Sequence, residues 1–201
     1  MNHGEDNSVP GNLRPPEVQG QRGPPGRVQC APTRSSGTRF CRAPICMIYL
    51  IRHGQTALNA ARVVQHPDTP LDAIGVQQAE RFGARMAEVG LTRILSSDYP
   101  RARRTAAALD ATGTIPTELT PLLRERDLGA LDGHPYAGVE HQFFGPDHDP
   151  PGGEAWPAFL ARVARAWAHV GSVARGGTER VAVVTHGLVI RALTELHLTY
   201  G

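Results

Sequence analysis

Residues 47–54 read Met-Ile-Tyr-Leu-Ile-Arg-His-Gly, and this stretch decides the fold class of the chain. A short apolar run bounded by charged residues and glycine is typical of a buried strand in a parallel sheet. The pattern returns at residues 181–187, Val-Ala-Val-Val-Thr-His-Gly, where an apolar run again ends next to a histidine. Two buried strands, each followed by a histidine and a glycine, are therefore predicted.

The segments around these strands alternate between helical and extended patterns. Asp72 can cap a helix, and Pro100 suits the first turn of another. The apolar face of the Asp72 helix is expected to carry Val76, Ala79, Phe82, Gly83, Met86 and Val89. Predicted helices cover approximately residues 72–89, 100–111, 154–174 and 187–198, and further strands cover residues 93–96 and 119–123. This alternation predicts an α/β fold with a mostly parallel sheet.

The first 46 residues differ in composition from the rest. They are rich in Pro, Gly, Arg and Ser and show no apolar periodicity. Because such a segment cannot bury enough surface to offset its ordering entropy, we predict a disordered extension over residues 1–46 and one domain over residues 47–201. Two alternatives stay open, a start codon placed too early before Met47 and a basic tail that touches RNA or anionic lipid.

Charge and cysteine content narrow the function classes. The formal net charge is +2, but the first 46 residues hold six arginines against three acidic residues, so the remainder is near neutral and does not favour nucleic-acid binding. All three cysteines precede Met47, and no run approaches the roughly 20 apolar residues that span a bilayer. We predict a cytoplasmic protein without nucleic-acid or membrane partners, and a homodimer stays open as an alternative to a monomer.

His53 and His186 are expected at the carboxyl edge of the sheet. Ligands of open α/β sheets bind at that edge, and the following glycines, Gly54 and Gly187, would let backbone approach a bound group closely. A helix that begins after His186 would also direct free N–H groups and its positive dipole end toward the same place. The pattern favours an anionic ligand such as phosphate.

Four segments at strand or helix edges carry a family resemblance. They are Arg52-His53-Gly54, Ser-Ser-Asp-Tyr-Pro-Arg-Ala-Arg-Arg-Thr at residues 96–105, Leu-Arg-Glu-Arg-Asp-Leu-Gly at residues 123–129, and Val184-Thr185-His186-Gly187. Their order resembles the histidine phosphatase superfamily (branch 1), which includes cofactor-dependent phosphoglycerate mutases. The resemblance covers essentially everything from Met47 onward. It implies a three-layer α/β/α fold with a mostly parallel central sheet, like that of phosphoglycerate mutases.

The resemblance also implies catalytic roles. His53 resembles the nucleophile, because a neutral imidazole whose Nδ1–H is held by a carbonyl keeps a lone pair on Nε2 for attack on phosphorus, without a metal or other cofactor. Arg52 and Arg101 resemble the phosphate clamp, since guanidinium groups bind phosphoryl oxygens bidentately. His186, if protonated, would be a third positive donor, and Glu125 resembles the proton donor to the leaving alkoxide.

A wider set of residues is expected to bind substrate. Asn59 matches a neutral donor position, and Gly152-Gly153-Glu154 resembles a segment whose Glu approaches the active site. The implied substrate-binding set is Arg52, Gly54, Asn59, Arg101, His186, Gly187 and Glu154. The alternatives are a turn or cap role for Asn59, a helix N-terminal carboxylate for Glu154, a surface ion pair for Glu125 and a core position for His186. Arg124 and Arg126 are expected to point away from Glu125.

Residues 132–153 form a long irregular stretch rich in proline and glycine. Connections of that length are usually lids or binding loops, so we expect a lid that covers the substrate with Phe143 and Phe144. The alternative is a metal site, but no recognisable ligand spacing supports it and no metal is predicted. Its candidate ligands would be His141, Asp147, His148 and Asp149.

These features favour a phosphatase that hydrolyses small phosphomonoesters through a phosphohistidine on His53. The insertion between Glu125 and His186 is short, and the long basic lid and tail expected of a phosphoglycerate mutase are absent from the sequence. Phosphoglycerate mutase-type transfer and a noncatalytic phosphate-binding protein are the alternatives. Two departures from the family pattern are His66, where a glycine is often found, and the early end at Gly201, which raises the expectation of a truncated domain.

Overall fold

The computed structural model of the chain describes residues 46–197. The predicted extension over residues 1–46, apart from Cys46, lies outside these residues, as does the end of the last predicted helix at Leu198. None of the helices within residues 46–197 is long and apolar enough to cross a membrane.

The described residues form a four-stranded sheet in which every pairing is parallel. The strands are β1 (Met47–Arg52), β2 (Arg93–Ser97), β3 (Thr117–Thr120) and β4 (Arg180–Thr185), in the spatial order β1-β4-β2-β3. The helices are α1 (Ala57–Ala60), α2 (Ala73–Met86), α3 (Pro100–Leu109), α4 (Trp156–Val173) and α5 (Gly187–His197). Short 3₁₀ turns cover Ala87–Val89, Pro121–Leu123, Gly129–Leu131, Glu140–Gln142 and Ala174–Gly176.

Alternation along the strands produces the three layers that the resemblance implied. Ala182 and Val184 of β4 face one side of the sheet and pack with residues of α2 and α3. Val181 and Val183 face the other side and pack against α4, which also packs with α5. Successive side chains of a strand point to opposite faces, so one apolar strand supplies both halves of the core.

Two details of the element predictions are corrected. The strand expected over residues 119–123 lies at Thr117–Thr120, because Pro121 begins a 3₁₀ turn in place of the strand's last residues. The predicted apolar face of α2 is rotated, since Phe82 is 36% exposed while Gly75 is buried. Asp72 caps α2 as predicted, with its side chain accepting from the Gly75 N–H.

Candidate active site

The carboxyl ends of β1 and β4 bring the two histidines together. These strands are paired in register up to Arg52 and Thr185, and the next residue of each strand is a histidine. The His53 N–H donates to the Thr185 carbonyl at 3.1 Å, which continues the ladder by one bond. As a result the imidazole centroids of His53 and His186 lie 5.1 Å apart.

The His53 ring is held in one orientation with a free nitrogen. Its Nδ1 lies 2.7 Å from the Gly54 carbonyl oxygen, which assigns the proton to Nδ1. Its Nε2 is buried and has no hydrogen-bond partner among the described residues. Burial, followed by the charges of Arg101 and Arg52, outweighs the Gly54 bond and lowers the pKa of His53 to about 4. The ring is therefore neutral near pH 7, with its lone pair on Nε2.

His186 is neutral as well. Its Nε2 lies 2.9 Å from the Ser97 hydroxyl, and the Tyr99 ring meets it edge-on at 5.4 Å. Burial, together with the positive charge of Arg101, lowers the pKa of His186 well below its ordinary value. The positive donor expected from the sequence is thus absent before an anion binds, because a buried imidazolium beside arginines would be repelled.

The two arginines predicted to clamp phosphate differ in how firmly they are placed. Arg101 is only 1% exposed, and its Nη1 donates to the carbonyls of His66 and Pro67 at 3.0 and 3.1 Å. Its Nε has no partner among the described residues. Arg52, by contrast, is exposed at the end of β1. One buried and one exposed guanidinium therefore lie beside the histidines.

Glu125 lies at the N-terminus of α5, where the sequence predicted free N–H groups for an anion. Its carboxylate accepts from the Leu188 N–H at 3.2 Å and from the Arg126 N–H at 3.1 Å. Burial raises the pKa of Glu125, against the lowering effect of these bonds and of Arg101 and Arg52. The raised pKa favours the protonated form that a general acid needs.

The glycines that follow the two histidines differ in how closely their surroundings approach them. A Cβ on Gly54 would lie 2.6 Å from the Gly75 carbonyl oxygen of α2, so the close approach is between two backbone segments. A Cβ on Gly187 would meet the Arg52 guanidinium at an ordinary 3.7 Å. Packing of Gly54 on α2 therefore requires a glycine there, while its approach to a bound group stays a prediction.

Two neighbouring cavities open at this edge of the sheet. The first, of about 260 Å³, is bordered by Arg101 and Glu125. The second, of about 370 Å³, is bordered by His53 and Asn59. Arg52 and Tyr136 border both, so a group held by Arg52 can face the imidazole on one side and the carboxylate on the other.

The two weaker sequence candidates have structural roles. The Asn59 Oδ1 accepts from the Thr56 N–H at 3.2 Å, and the Thr56 hydroxyl accepts from the Asn59 N–H, which together cap α1. This is the cap alternative, although Asn59 also borders the second cavity. The Glu154 carboxylate is bound by Arg162 at 2.6 and 2.8 Å and borders neither cavity.

Arg126 corrects the expectation that both neighbours of Glu125 point outward. Arg124 does so, in an exposed pair with Asp98. Arg126 is 2% exposed and donates to the carbonyls of Phe143 at 3.2 Å, His148 at 2.6 Å and Glu154 at 3.1 Å. A charged residue next to Glu125 is buried because the long loop offers carbonyls that need donors.

The loop over residues 132–153 is irregular, as predicted, and its two phenylalanines take different places. Phe143 borders the first cavity, whereas Phe144 packs on Trp156 with ring centroids 4.6 Å apart. Within residues 46–197, no three His, Cys, Asp or Glu side chains are grouped so that they could hold a metal ion. His141 and His148 meet only as rings 5.6 Å apart.

Sequence reasoning missed three residues that build the site. Arg162 donates to the carbonyls of Leu122, Arg124 and Glu125, and thereby holds the backbone of the proton-donor segment. Ser97 is the partner of His186, and Tyr136 borders both cavities. Of these three, only Arg162 could have been singled out from the sequence. It is a charged residue three positions after Phe159, and that spacing places it close to the apolar face of its helix.

Comparisons with known proteins agree with this architecture. The fold is that of the phosphoglycerate mutase-like α/β proteins. The model of the histidine phosphatase superfamily (branch 1) matches residues 48–201, and the chain belongs to that superfamily. Its members named below are phosphatases and mutases, so the family is one of phosphoryl-transfer enzymes.

Three relatives illustrate the range of the family. The "Probable phosphoglycerate mutase GpmB" of Salmonella paratyphi B is 33% identical over 156 residues, covering 73% of this chain and 72% of the relative. A mycobacterial glucosyl-3-phosphoglycerate phosphatase, solved in complex with VO3, has a TM-score of 0.62 and 28% identity over 72% of this chain and 78% of that one. The α-ribazole phosphatase of Shigella flexneri has a TM-score of 0.61 and 25% identity over 71% and 75%.

Proposed function

We propose that the protein is a phosphatase that hydrolyses small phosphomonoesters through a phosphohistidine on His53, without a metal cofactor. The observation that carries this proposal is the state of His53. Its Nδ1 is committed to the Gly54 carbonyl at 2.7 Å, its Nε2 has no partner among the described residues, and its pKa is lowered to about 4. A neutral imidazole with a free, buried lone pair is already a nucleophile near pH 7.

The proposed reaction has two displacement steps. In the first, the His53 Nε2 attacks phosphorus and the bond to the leaving oxygen breaks, while Glu125 gives its proton to that oxygen. In the second, the Glu125 carboxylate takes a proton from water, the resulting hydroxide attacks the phosphohistidine, and the P–N bond breaks. Inorganic phosphate leaves, and His53 and Glu125 return to their starting protonation states.

The surrounding charges support the same assignment. Arg52 and Arg101 would hold the transferred group, and the unpartnered Arg101 Nε offers a donor that is already desolvated. His186 would gain a proton beside the phosphate dianion, because the negative charge opposes the burial and the repulsion by Arg101 that lower its pKa. The raised pKa of Glu125 keeps the acid protonated for the first step.

A mutase is the second candidate, because the relative that is 33% identical carries a mutase name. The two activities share the phosphohistidine and differ in whether water or a second substrate receives the phosphoryl group. A noncatalytic phosphate-binding protein is a third reading. It would have no need of both an activated imidazole and a protonated carboxylic acid.

The test is hydrolysis of p-nitrophenyl phosphate in the presence of EDTA. We expect wild-type turnover to resist the chelator and to fall at least about 10³-fold in His53→Ala, because loss of the nucleophile disables residues that act as a unit. His169→Ala removes a histidine that borders neither cavity and is paired with Glu118, and should keep wild-type rates.

Isomerisation of 3-phosphoglycerate in the presence of its bisphosphate cofactor would favour the mutase. A phosphoryl adduct on His53 that is labile in acid and stable in base is expected during turnover. Its absence with a hydrolysed substrate would overturn the mechanism, and phosphate binding without either reaction would favour the noncatalytic reading.

A further inference from the structure

The first cavity has charges of opposite sign on its two sides. Arg52, at the end of β1, and Arg101, in the first turn of α3, border it where the phosphoryl group is proposed to bind. Asp127, Asp132 and Glu140 border it on the segment that follows Glu125. A phosphomonoester whose phosphoryl group is held by the arginines must therefore extend its leaving group toward carboxylates.

These carboxylates are not neutralised by arginines within the described residues. The Asp127 Oδ1 accepts from the Gly129 N–H at 2.9 Å, and Asp132 lies 3.4 Å from the exposed His66 ring. No ion pair of Glu140 with a described residue is found. Burial raises the pKa of the half-buried Asp132. Asp127 and Glu140 are exposed residues that border the same cavity.

Arg126 also borders this cavity but does not cancel that charge. Its N–H groups are donated to three carbonyls, and its guanidinium lies 3.6 Å from the Asp149 carboxylate. Its side chain is fully buried, so it cannot turn toward a ligand carboxylate without leaving those acceptors unpaired. The charge left for the leaving group is therefore negative.

Apart from Gln65, the remaining side chains of the lining are apolar or aromatic and give a carbon skeleton a surface to contact. They include Val64, Pro67, Tyr99, Leu128, Tyr136 and Phe143. Tyr99 is held in place by the guanidinium of Arg101, 5.0 Å from its ring centroid, and by that of Arg124 at 5.4 Å. Hydroxyl or amino groups of the ligand can donate hydrogen bonds to the carboxylates of the cavity. A second anionic group on the ligand has no donor to offer and is repelled by them.

We propose that this cavity selects phosphomonoesters whose leaving group is uncharged or cationic, and that Asp127 and Glu140 reject leaving groups that carry a carboxylate or a second phosphate. The proposal rests on the proposed function, because it places the transferred phosphoryl group at Arg52 and Arg101. The buried Arg101 borders the cavity, and its Nε has no hydrogen-bond partner among the described residues. It therefore orients the substrate, with the phosphoryl group at the arginines and the leaving group toward the carboxylates.

The test compares two substrates that differ in one group. sn-Glycerol 3-phosphate and 3-phosphoglycerate share a phosphorylated three-carbon chain, but the first ends in a hydroxymethyl group and the second in a carboxylate. We expect kcat/KM to be at least about 5-fold higher for glycerol 3-phosphate, since two like charges about 4 Å apart repel by about 1 kcal/mol even in water. Added salt should shrink the ratio.

Charge-neutral variants assign the effect to residues. Asp127→Asn with Glu140→Gln should shrink the ratio at least about 3-fold, chiefly by improving 3-phosphoglycerate. Glu88→Gln makes the same kind of charge change at a residue of the 3₁₀ turn after α2 that borders neither cavity, and should leave the ratio unchanged. A ratio near one, a preference for 3-phosphoglycerate, or a ratio that the double variant does not change would overturn the proposal.

Failure of the proposed phosphatase function can be distinguished from failure of the charge-selectivity proposal. If neither these compounds nor p-nitrophenyl phosphate is hydrolysed, the phosphatase assignment fails, and calorimetric binding of the two unreacted three-carbon compounds to the wild-type protein still measures charge selectivity. Tighter binding of glycerol 3-phosphate than of 3-phosphoglycerate, with a smaller difference in the double variant, would support charge selection by Asp127 and Glu140. Equal or tighter binding of 3-phosphoglycerate would reject it.

Discussion

The candidate active site joins two regions that hold their side chains in different ways, and of the first region only Arg52 borders the first cavity. The strand-edge wall, formed by Arg52, His53, Ser97 and His186, follows the ends of three neighbouring strands. The loop wall, formed by residues 127–143, has one 3₁₀ turn at each end and little other regular structure. Backbone ladders position the first wall. The second depends on a few side chains that donate to loop carbonyls, above all Arg126.

Because of this difference, we expect substitutions in the two walls to affect different properties of the protein. A change in the strand-edge wall should alter chemistry while the sheet keeps its stability, because the ladder does not depend on those side chains. A change in the supports of the loop wall should alter stability and substrate choice together. Glu125 stands between the two walls and offers the largest expected effect.

Glu125→Gln is expected to lower kcat/KM for glycerol 3-phosphate by about 10²- to 10⁴-fold, since the amide cannot give a proton to a poor leaving group. For p-nitrophenyl phosphate, whose leaving group needs less protonation, the loss should be smaller. The direction in which activity changes with pH follows from the pKa shifts of His53 and Glu125. Wild-type activity should rise through pH 4 as His53 loses its proton, and fall at higher pH as Glu125 ionises through its raised pKa.

The variant should lose the fall at high pH and keep the rise near pH 4. Its free energy of unfolding, measured by urea denaturation, serves as the control for intact packing. Equal losses on the two substrates with an unchanged pH profile would contradict the proton-donor role, and would leave Glu125 as a structural acceptor for the Leu188 and Arg126 N–H groups.

The next largest effect is expected on stability, in a comparison of substitutions at Arg126 and Arg124. Arg126→Met should destabilise the protein by about 3 kcal/mol, because three loop carbonyls lose their donor in a buried place. Arg124→Met should cost less than about 1 kcal/mol, since its pair with Asp98 is exposed to solvent. Urea denaturation measures both changes.

Limited proteolysis should locate the Arg126→Met damage within residues 127–153, because the carbonyls released belong to Phe143, His148 and Glu154. Similar losses in the two variants would show that burial of Arg126 does not support the loop wall. A stable Arg126→Met protein with unchanged proteolysis would lead to the same conclusion.

The same contrast explains what the sequence could predict. Runs such as Val181–Val184 and the histidines after them were sufficient for the parallel sheet, because period and burial are local properties of a strand. Those strand ends also predicted that His53 and His186 would meet. The order of the strands, with β4 between β1 and β2, depends on long-range pairing that no local pattern contains.

The loop wall could not be predicted in the same way. The direction of Arg126 is decided by carbonyls 17 to 28 positions away in the chain, and the sequence gives no sign of where an irregular loop will place them. His186 shows a second limit. Its type and position were predictable, but its charge depends on the depth of burial and on arginines from other elements. Local chemistry predicts which residues meet, while the protein environment determines their ionisation.

The smallest effect is expected at Asn59, which caps α1 and also borders the second cavity. Asn59→Asp keeps the oxygen that accepts from the Thr56 N–H, and places a carboxylate in the first turn of α1, where the helix dipole favours it. The free energy of unfolding should therefore change by no more than about 0.5 kcal/mol.

The same substitution removes the amide donor and adds a negative charge beside the proposed phosphate site. If Asn59 donates to phosphate, KM for p-nitrophenyl phosphate should rise about 3- to 10-fold while kcat changes less, because a repelled anion binds more weakly before any chemistry occurs. An unchanged KM at unchanged stability would assign Asn59 to the cap alone. The proposed phosphate site would then consist only of groups placed by the strand ends and by α3, with none from α1.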